Sequence, residues 1–201
     1  MMSELSLNRS TIVAFIADIF ERRGAESYLG EPVTMSQHML QSAVLAEREG
    51  ASDELITAAL LHDIGHYTSE FGPYSPDDTE DNHHDEAGAR VLEHFFPPVI
   101  TECVRRHVAA KRYLCATDGT YYGKLSQASR HTLALQGGPM NETEVEAFRR
   151  NPYYAEAVRV RLWDEGGKDP QMATPPFRHY VPVLQRVVDK HMSALNDVDG
   201  L

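Results

Sequence analysis

Apolar residues in this chain recur at three- and four-residue spacing from one glycine or proline break to the next, and no stretch alternates over the length of a strand. That period restricts the chain to amphipathic helices packed on one another, because a half-buried strand needs a period of two. Ile12, Phe15, Ile16, Ile19 and Phe20 share one face of a first helix, with Ser10 placed to cap it and Gly24 to end it. Thr34 or Ser36 opens a second, running to about Glu49 before Gly50. Ser52 caps a third, which runs through the apolar string up to Gly65. Residues 66–82, with two prolines and a run of acids, form a long surface loop of the kind that often serves as a lid. Further helices are expected over His83–Phe96, Val99–Cys115 and 126–135, the last closed by Gly137-Gly138-Pro139. Asn141 with Glu144 has the form of a capping box, Tyr153–Asp164 is helical up to Gly166-Gly167, and a final helix spans about Phe177–Met192 before a fraying tail. The expectation is an all-α fold, a single domain over residues 1–201 with about eight helices.

Charge narrows what such a domain can bind. Thirty acids oppose nineteen lysines and arginines, a formal net charge of -11, which speaks against a nucleic-acid surface or an anionic membrane face as partner. No apolar run reaches the roughly 18 to 20 residues of a membrane span, and the N-terminal residues lack the basic-then-apolar pattern of a secretory signal. Two cysteines make no disulfide framework, so a cytoplasmic location is expected. The ten histidines are out of line, at about double ordinary usage.

The sharpest local feature is the pair His62-Asp63 at the end of an apolar helix. Alone it reads as a polar helix terminus. However, His38 lies on the preceding helix, His84 opens the next, His107 sits midway along the one after, and Asp164 ends a later one. Helical bundles build metal sites from such inward-projecting side chains, and Asp63 has two oxygens with which to bridge two ions. Four imidazoles and two carboxylates without a thiolate suit Fe, Mn or Zn rather than a structural zinc.

The order H…HD…H…H…D resembles the HD-domain superfamily, whose phosphohydrolases and di-iron oxygenases share this ligand set. The longer strings SYLGE, LLHDIGHY, HVAAKRYL, LSQASRHTL, LQGGPM and RLWDEGGK are similar to the small HD oxygenases that cleave the C–P bond of 1-hydroxylated aminoethylphosphonates, over roughly residues 28 to 180. The resemblance implies two irons, Fe(II) and Fe(III), with O2 as co-substrate and a small organophosphonate as substrate. His38, His62 and Asp164 would hold one metal, His84 and His107 the other, and Asp63 would bridge them. Gly88-Ala89 downstream favours His84 over its neighbour His83 as the matching ligand. His66, Lys111, Ser129 and Arg161, with Arg130 beside them, would clamp the phosphonate; Lys111 follows His107 by four residues and Arg161 precedes Asp164 by three, so each shares a helical face with its ligand. Tyr28 would cap the O2-side iron until substrate arrives, and Glu31 would read the substrate nitrogen.

His94, His131, His179 and His191 match no ligand position and read as surface or core histidines, His179 with a further option at an entrance, while Trp163 and the methionines read as core. The loop residues Phe71, Tyr74, Asp77, Asp78, Glu80 and Asp81 combine aromatics with acid, a composition that suits a quaternary ammonium, so a trimethylated substrate nitrogen is preferred to a primary amine. Competing readings are an HD phosphohydrolase acting on a nucleotide or phosphomonoester, a regulatory helical domain that binds a phosphorylated ligand, and a relative of myo-inositol oxygenase.

Overall fold

The computed structural model describes residues 7–28, 30–68 and 79–199. Among these, the regular structure is helical apart from one isolated bridge between Ser27 and Thr34. The helices are α1 (Ile12–Arg23), α2 (Met35–Arg48), α3 (Asp53–Leu61), α4 (Gly65–Thr68), α5 (His84–Leu92), α6 (Pro98–Thr117), α7 (Tyr121–Lys124), α8 (Gln127–Leu135), α9 (Glu142–Arg149), α10 (Tyr154–Gly166) and α11 (Val181–Asp199), with a 3-10 turn at Phe177–His179. The excess over the eight expected comes mainly from α4 and α7, single turns too short to show an apolar period.

The cap chemistry explains most boundaries. Thr34, not Ser36, opens α2 through a reciprocal box with Gln37. Ser52, Ser126 and Asn141 each accept a backbone N–H three residues on, so α3, α8 and α9 start where their side chains dictate. Ser10 does not cap α1: Thr11 occupies that position, and the Asn8 side chain accepts the Ser10 N–H at 2.9 Å to shape the entry. The last helix does not stop at Met192: α11 continues to Asp199, since no glycine or proline interrupts the chain between Pro182 and Gly200.

Long α6 is the packing centre, flanked by α10, α5 and α3, and α2 closes the group against α3 and α10. Ile12, Ile16, Met39, Leu60, Leu61, Ile64, Leu92, Phe96, Ile100 and Leu184 are completely or almost completely buried in one continuous core. Two glycines set how closely elements approach. A Cβ on Gly65 would lie 1.7 Å from the His84 carbonyl oxygen, so α4 and the start of α5 meet backbone to backbone. A Cβ on Gly167 would lie 2.7 Å from Ser42 Oγ and 3.3 Å from His38 Nδ1, so the chain leaving α10 presses on α2. Phe71, Tyr74, Asp77 and Asp78 lie outside the described residues; of their expected companions, Glu80 is exposed and Asp81 is half-buried.

Candidate metal centre

The six expected ligands converge. His38 projects from α2, His62 and Asp63 from the turn after α3, His84 from the first residue of α5, His107 from α6 and Asp164 from α10, and all six are buried. Each imidazole is tethered through Nδ1: His38 to the Gly167 carbonyl at 2.9 Å, His62 to Ala59 at 2.8 Å, His107 to Val104 at 2.8 Å, and His84 to the Asn82 side-chain oxygen at 3.0 Å. A carbonyl oxygen can only accept, so Nδ1 carries the proton and Nε2 presents a bare lone pair to the centre.

Those lone pairs face one another. His38 and His62 Nε2 are 3.0 Å apart, and His84 and His107 Nε2 are 3.1 Å apart. Asp63 stands between the pairs. Its Oδ2 lies 3.4 Å from both His38 and His62 Nε2, and its Oδ1 lies 3.4 Å from His84 and 3.3 Å from His107. Asp164 Oδ1 joins the first pair, 3.4 Å from His38. Asp63 Oδ2 and Asp164 Oδ1 are buried without a hydrogen-bond partner. Opposed lone pairs and orphaned carboxylate oxygens are costly in a dry interior unless cations sit among them. The donor set therefore fits two ions, one among His38, His62 and Asp63 with Asp164 alongside, the other among Asp63, His84 and His107.

The local field agrees. Burial raises the cost of charge on Asp63 and Asp164, yet the imidazoles hold Asp63, and Arg161 with His62 hold Asp164, well below the usual carboxylate range. Burial also opposes charge on His38, but Asp164 and Asp63 push it up to about 9, so a positive charge is favoured at that position. His84 is buried and His83 is exposed with φ 49°, which separates the two neighbours.

A pocket opens over the centre, and Tyr28, Glu31, His66, Lys111, Ser129, Thr132, Gln136, Arg161 and Lys168 are among the residues that line it. Tyr28 stacks on His38 with ring centroids 4.0 Å apart, and His66 stacks on His84 at 4.1 Å. Lys111 is buried and donates to Thr132 Oγ1 at 2.8 Å; burial first, then Arg161, pushes its amine down to about 7. Arg161 is buried and donates to Tyr121 OH at 2.8 Å, to Asp164 Oδ2 and to Glu165. It thereby turns the free oxygen of Asp164 toward the imidazoles. Arg130 does not join the pocket. One residue beyond Ser129 it is rotated about 100° around α8, and it is exposed over Tyr122 with a bond to the Gly123 carbonyl. His179 is likewise exposed, at 3.3 Å from Glu47, rather than at an entrance.

Residues without an assignment from sequence complete the site. Asn82 anchors His84, and Glu165, Ser126 and Lys168 form a polar network around Ser129 and Glu31. Their only sequence signal is adjacency to assigned residues: Asn82 two residues before His84, Ser126 within LSQAS, and Glu165 and Lys168 within RLWDEGGK. Among the described residues, no helix is long and apolar enough to cross a membrane.

A family model described as HD domain matches residues 35–164. Over 188 residues, 94% of this chain and 96% of the other, the chain is 61% identical to a (1-hydroxy-2-(trimethylamino)ethyl)phosphonate dioxygenase, glycine-betaine-forming, of Leisingera caerulea. It is 42% identical over 156 residues to a hydroxymethylphosphonate dioxygenase of Gimesia maris, covering 77% of this chain and 78% of that one.

Proposed function

The chain belongs to the HD-domain family, and from that membership we propose that it is an O2-dependent dioxygenase cleaving the C–P bond of 1-hydroxy-2-(trimethylammonio)ethylphosphonate. The observation that carries this reading is the 61% identity to the Leisingera dioxygenase across nearly the whole of both chains. With both phosphorus species as dianions, one O2 enters and glycine betaine, hydrogen phosphate and one proton leave, four electrons being taken from C1. The reading includes a single HD domain over residues 1–201, a cytoplasmic location and no nucleic-acid or membrane partner, in keeping with the net charge of -11.

Two irons would be held by His38, His62, Asp63 and Asp164 on one side and by Asp63, His84 and His107 on the other, with Asp63 common to both groups. When bound, an iron pair supplies chelation of the hydroxyphosphonate and activation of O2. The protein's own groups do the rest. Lys111 and Ser129 contact phosphonate oxygens, with His66 and Arg161 beside them, in a pocket dry enough for each charge-assisted bond to count. Tyr28, stacked on His38, covers the first metal position until substrate displaces it. Glu31 receives the cationic nitrogen. Arg161 keeps Asp164 oriented throughout.

Aerobic turnover of the trimethylated and primary-amine hydroxyphosphonates, followed by 31P NMR with iron quantified in the same sample, tests the reading. Oxygen-dependent phosphate release with preference for the trimethylated compound is expected. Phosphate release in strictly anaerobic solution would replace it with a hydrolytic reaction.

A further inference from the structure

One cationic side chain in the pocket has no part in the phosphonate clamp. Lys168, just past the end of α10, has a largely buried side chain whose amine donates to Ser129 Oγ at 2.7 Å and to Glu165 Oε2 at 3.2 Å, and lies 3.5 Å from Glu31 Oε1. A tight turn delivers Glu31: its N–H bonds to the Tyr28 carbonyl at 2.7 Å, with Gly30 at φ 77° between them. The Glu31 carboxylate is then held by Ser126 and faces Lys168. One amine thus stands between the group proposed to receive the substrate's cationic end and a hydroxyl proposed to receive its anionic end.

The charges of the resting pocket mirror those of the substrate. Arg161 is satisfied by Asp164 and Glu165, whereas Lys168 is shared between Glu165 and Glu31. A bound ammonium at Glu31 takes over the carboxylate, and the lysine is released toward the phosphonate arriving at Ser129. A phosphonate without the cation must either share Lys168 with Glu31 or leave Glu31 partly buried and unpaired, and both options weaken its binding.

Resting on the function proposed above, we propose that Lys168 is a specificity-determining residue that exchanges Glu31 for the phosphonate, so that the positive end of the substrate controls how tightly the negative end is held. Lys168 is the mediator, and Glu31 acts on the phosphonate largely through it.

The test is anaerobic calorimetry on iron-loaded protein with two ligands of one shape. These are 1-hydroxy-2-(trimethylammonio)ethylphosphonate and its carbon isostere, 1-hydroxy-3,3-dimethylbutylphosphonate, which lacks the positive charge. Four proteins are compared: wild type, Glu31→Gln, Lys168→Met and the double variant. Iron content and melting temperature are recorded for each, so that a merely structural loss is seen as such. The isostere should bind Glu31→Gln about tenfold or more tightly than it binds wild type, because the lysine is then held by one carboxylate, Glu165, in place of two. In the Lys168→Met background the same Glu31→Gln change should give less than about a third of that gain. An absent gain, or an equal gain in both backgrounds, overturns the exchange, the second outcome meaning that Glu31 repels the phosphonate directly. If a Lys168→Met protein loses iron, Lys168→Gln replaces it in the cycle under the same criteria. Failure of wild type to bind the zwitterion, with no oxygen-dependent phosphate release, would instead bring down the functional reading itself. The two failures are therefore distinguishable.

Discussion

An amine sealed into the protein costs stability, and Lys111 makes that cost measurable. Burial and Arg161 push it down to about 7, against roughly 10.4 for a free lysine. Between those values the unfolded chain binds a proton that the folded chain does not, so stability rises with pH across that window. Below about pH 7 both states are protonated and the penalty is present in full. Lys111→Met should therefore stabilise the metal-free protein near pH 6 by a few kcal/mol, since each tenfold loss of proton affinity corresponds to about 1.4 kcal/mol. The advantage should shrink steadily toward pH 10, as followed by urea unfolding; a pH-independent difference would refute the assignment. The same variant should lose phosphonate affinity. Lys111 is legible in the sequence because it lies one helical turn from His107 inside α6, where spacing fixes direction. Lys168 is not: the helix stops at Gly166, and past a helix end spacing no longer says where a side chain points. For Asp63, the bridging arrangement gives a plain expectation. Asp63→Ala should lower bound metal from two equivalents to none, measured by elemental analysis, whereas Glu31→Gln should retain both.

At the level of elements, two crossings hold the ligands in register. Gly65→Ala places a methyl group against the His84 carbonyl, so α4 and α5 must separate and His84 must move with its backbone. A loss of about 2–4 kcal/mol is expected, in the range of other core overpacking and backbone strain, together with preferential loss of the metal held by His84 and His107. Thermal melting and metal stoichiometry on one sample would check both parts. The Thr34 box is more ordinary, and Thr34→Ala should cost about 1 kcal/mol with both metals kept. Caps of this kind explain why the starts of α2, α3, α8 and α9 can be read from the sequence: each depends on residues three apart. The closeness of α4 to α5 cannot be read, because Gly65 and Gly88 identify a contact only once the two segments are known to meet. The positive φ of His83, which aims His84 inward and leaves its neighbour in solvent, is equally a product of the assembled turn.

Across the molecule, the centre ties α2, the turn after α3, α5, α6 and α10 to one point, while α1 and α11 pack outside it. Metal binding should therefore slow amide hydrogen exchange in those five segments and leave most of α11 unchanged, with a rise in melting temperature that follows metal concentration. Uniform protection over the whole chain would contradict this. The net charge of -11 is consistent with a dianionic ligand because the cations are placed rather than averaged: Lys111, Arg161 and Lys168 all face one pocket. The four imidazole tethers also determine how the site responds to random mutation. Three of them end on main-chain oxygens, at Ala59, Val104 and Gly167, which no change of side chain can remove. The fourth ends on the Asn82 side chain and can be erased by a single codon change. In a saturation scan, positions 59 and 104 should accept any residue of similar bulk, while position 82 should accept almost none. Among the four tethers, genetic fragility is thus concentrated at a residue that is not itself one of the six ligands.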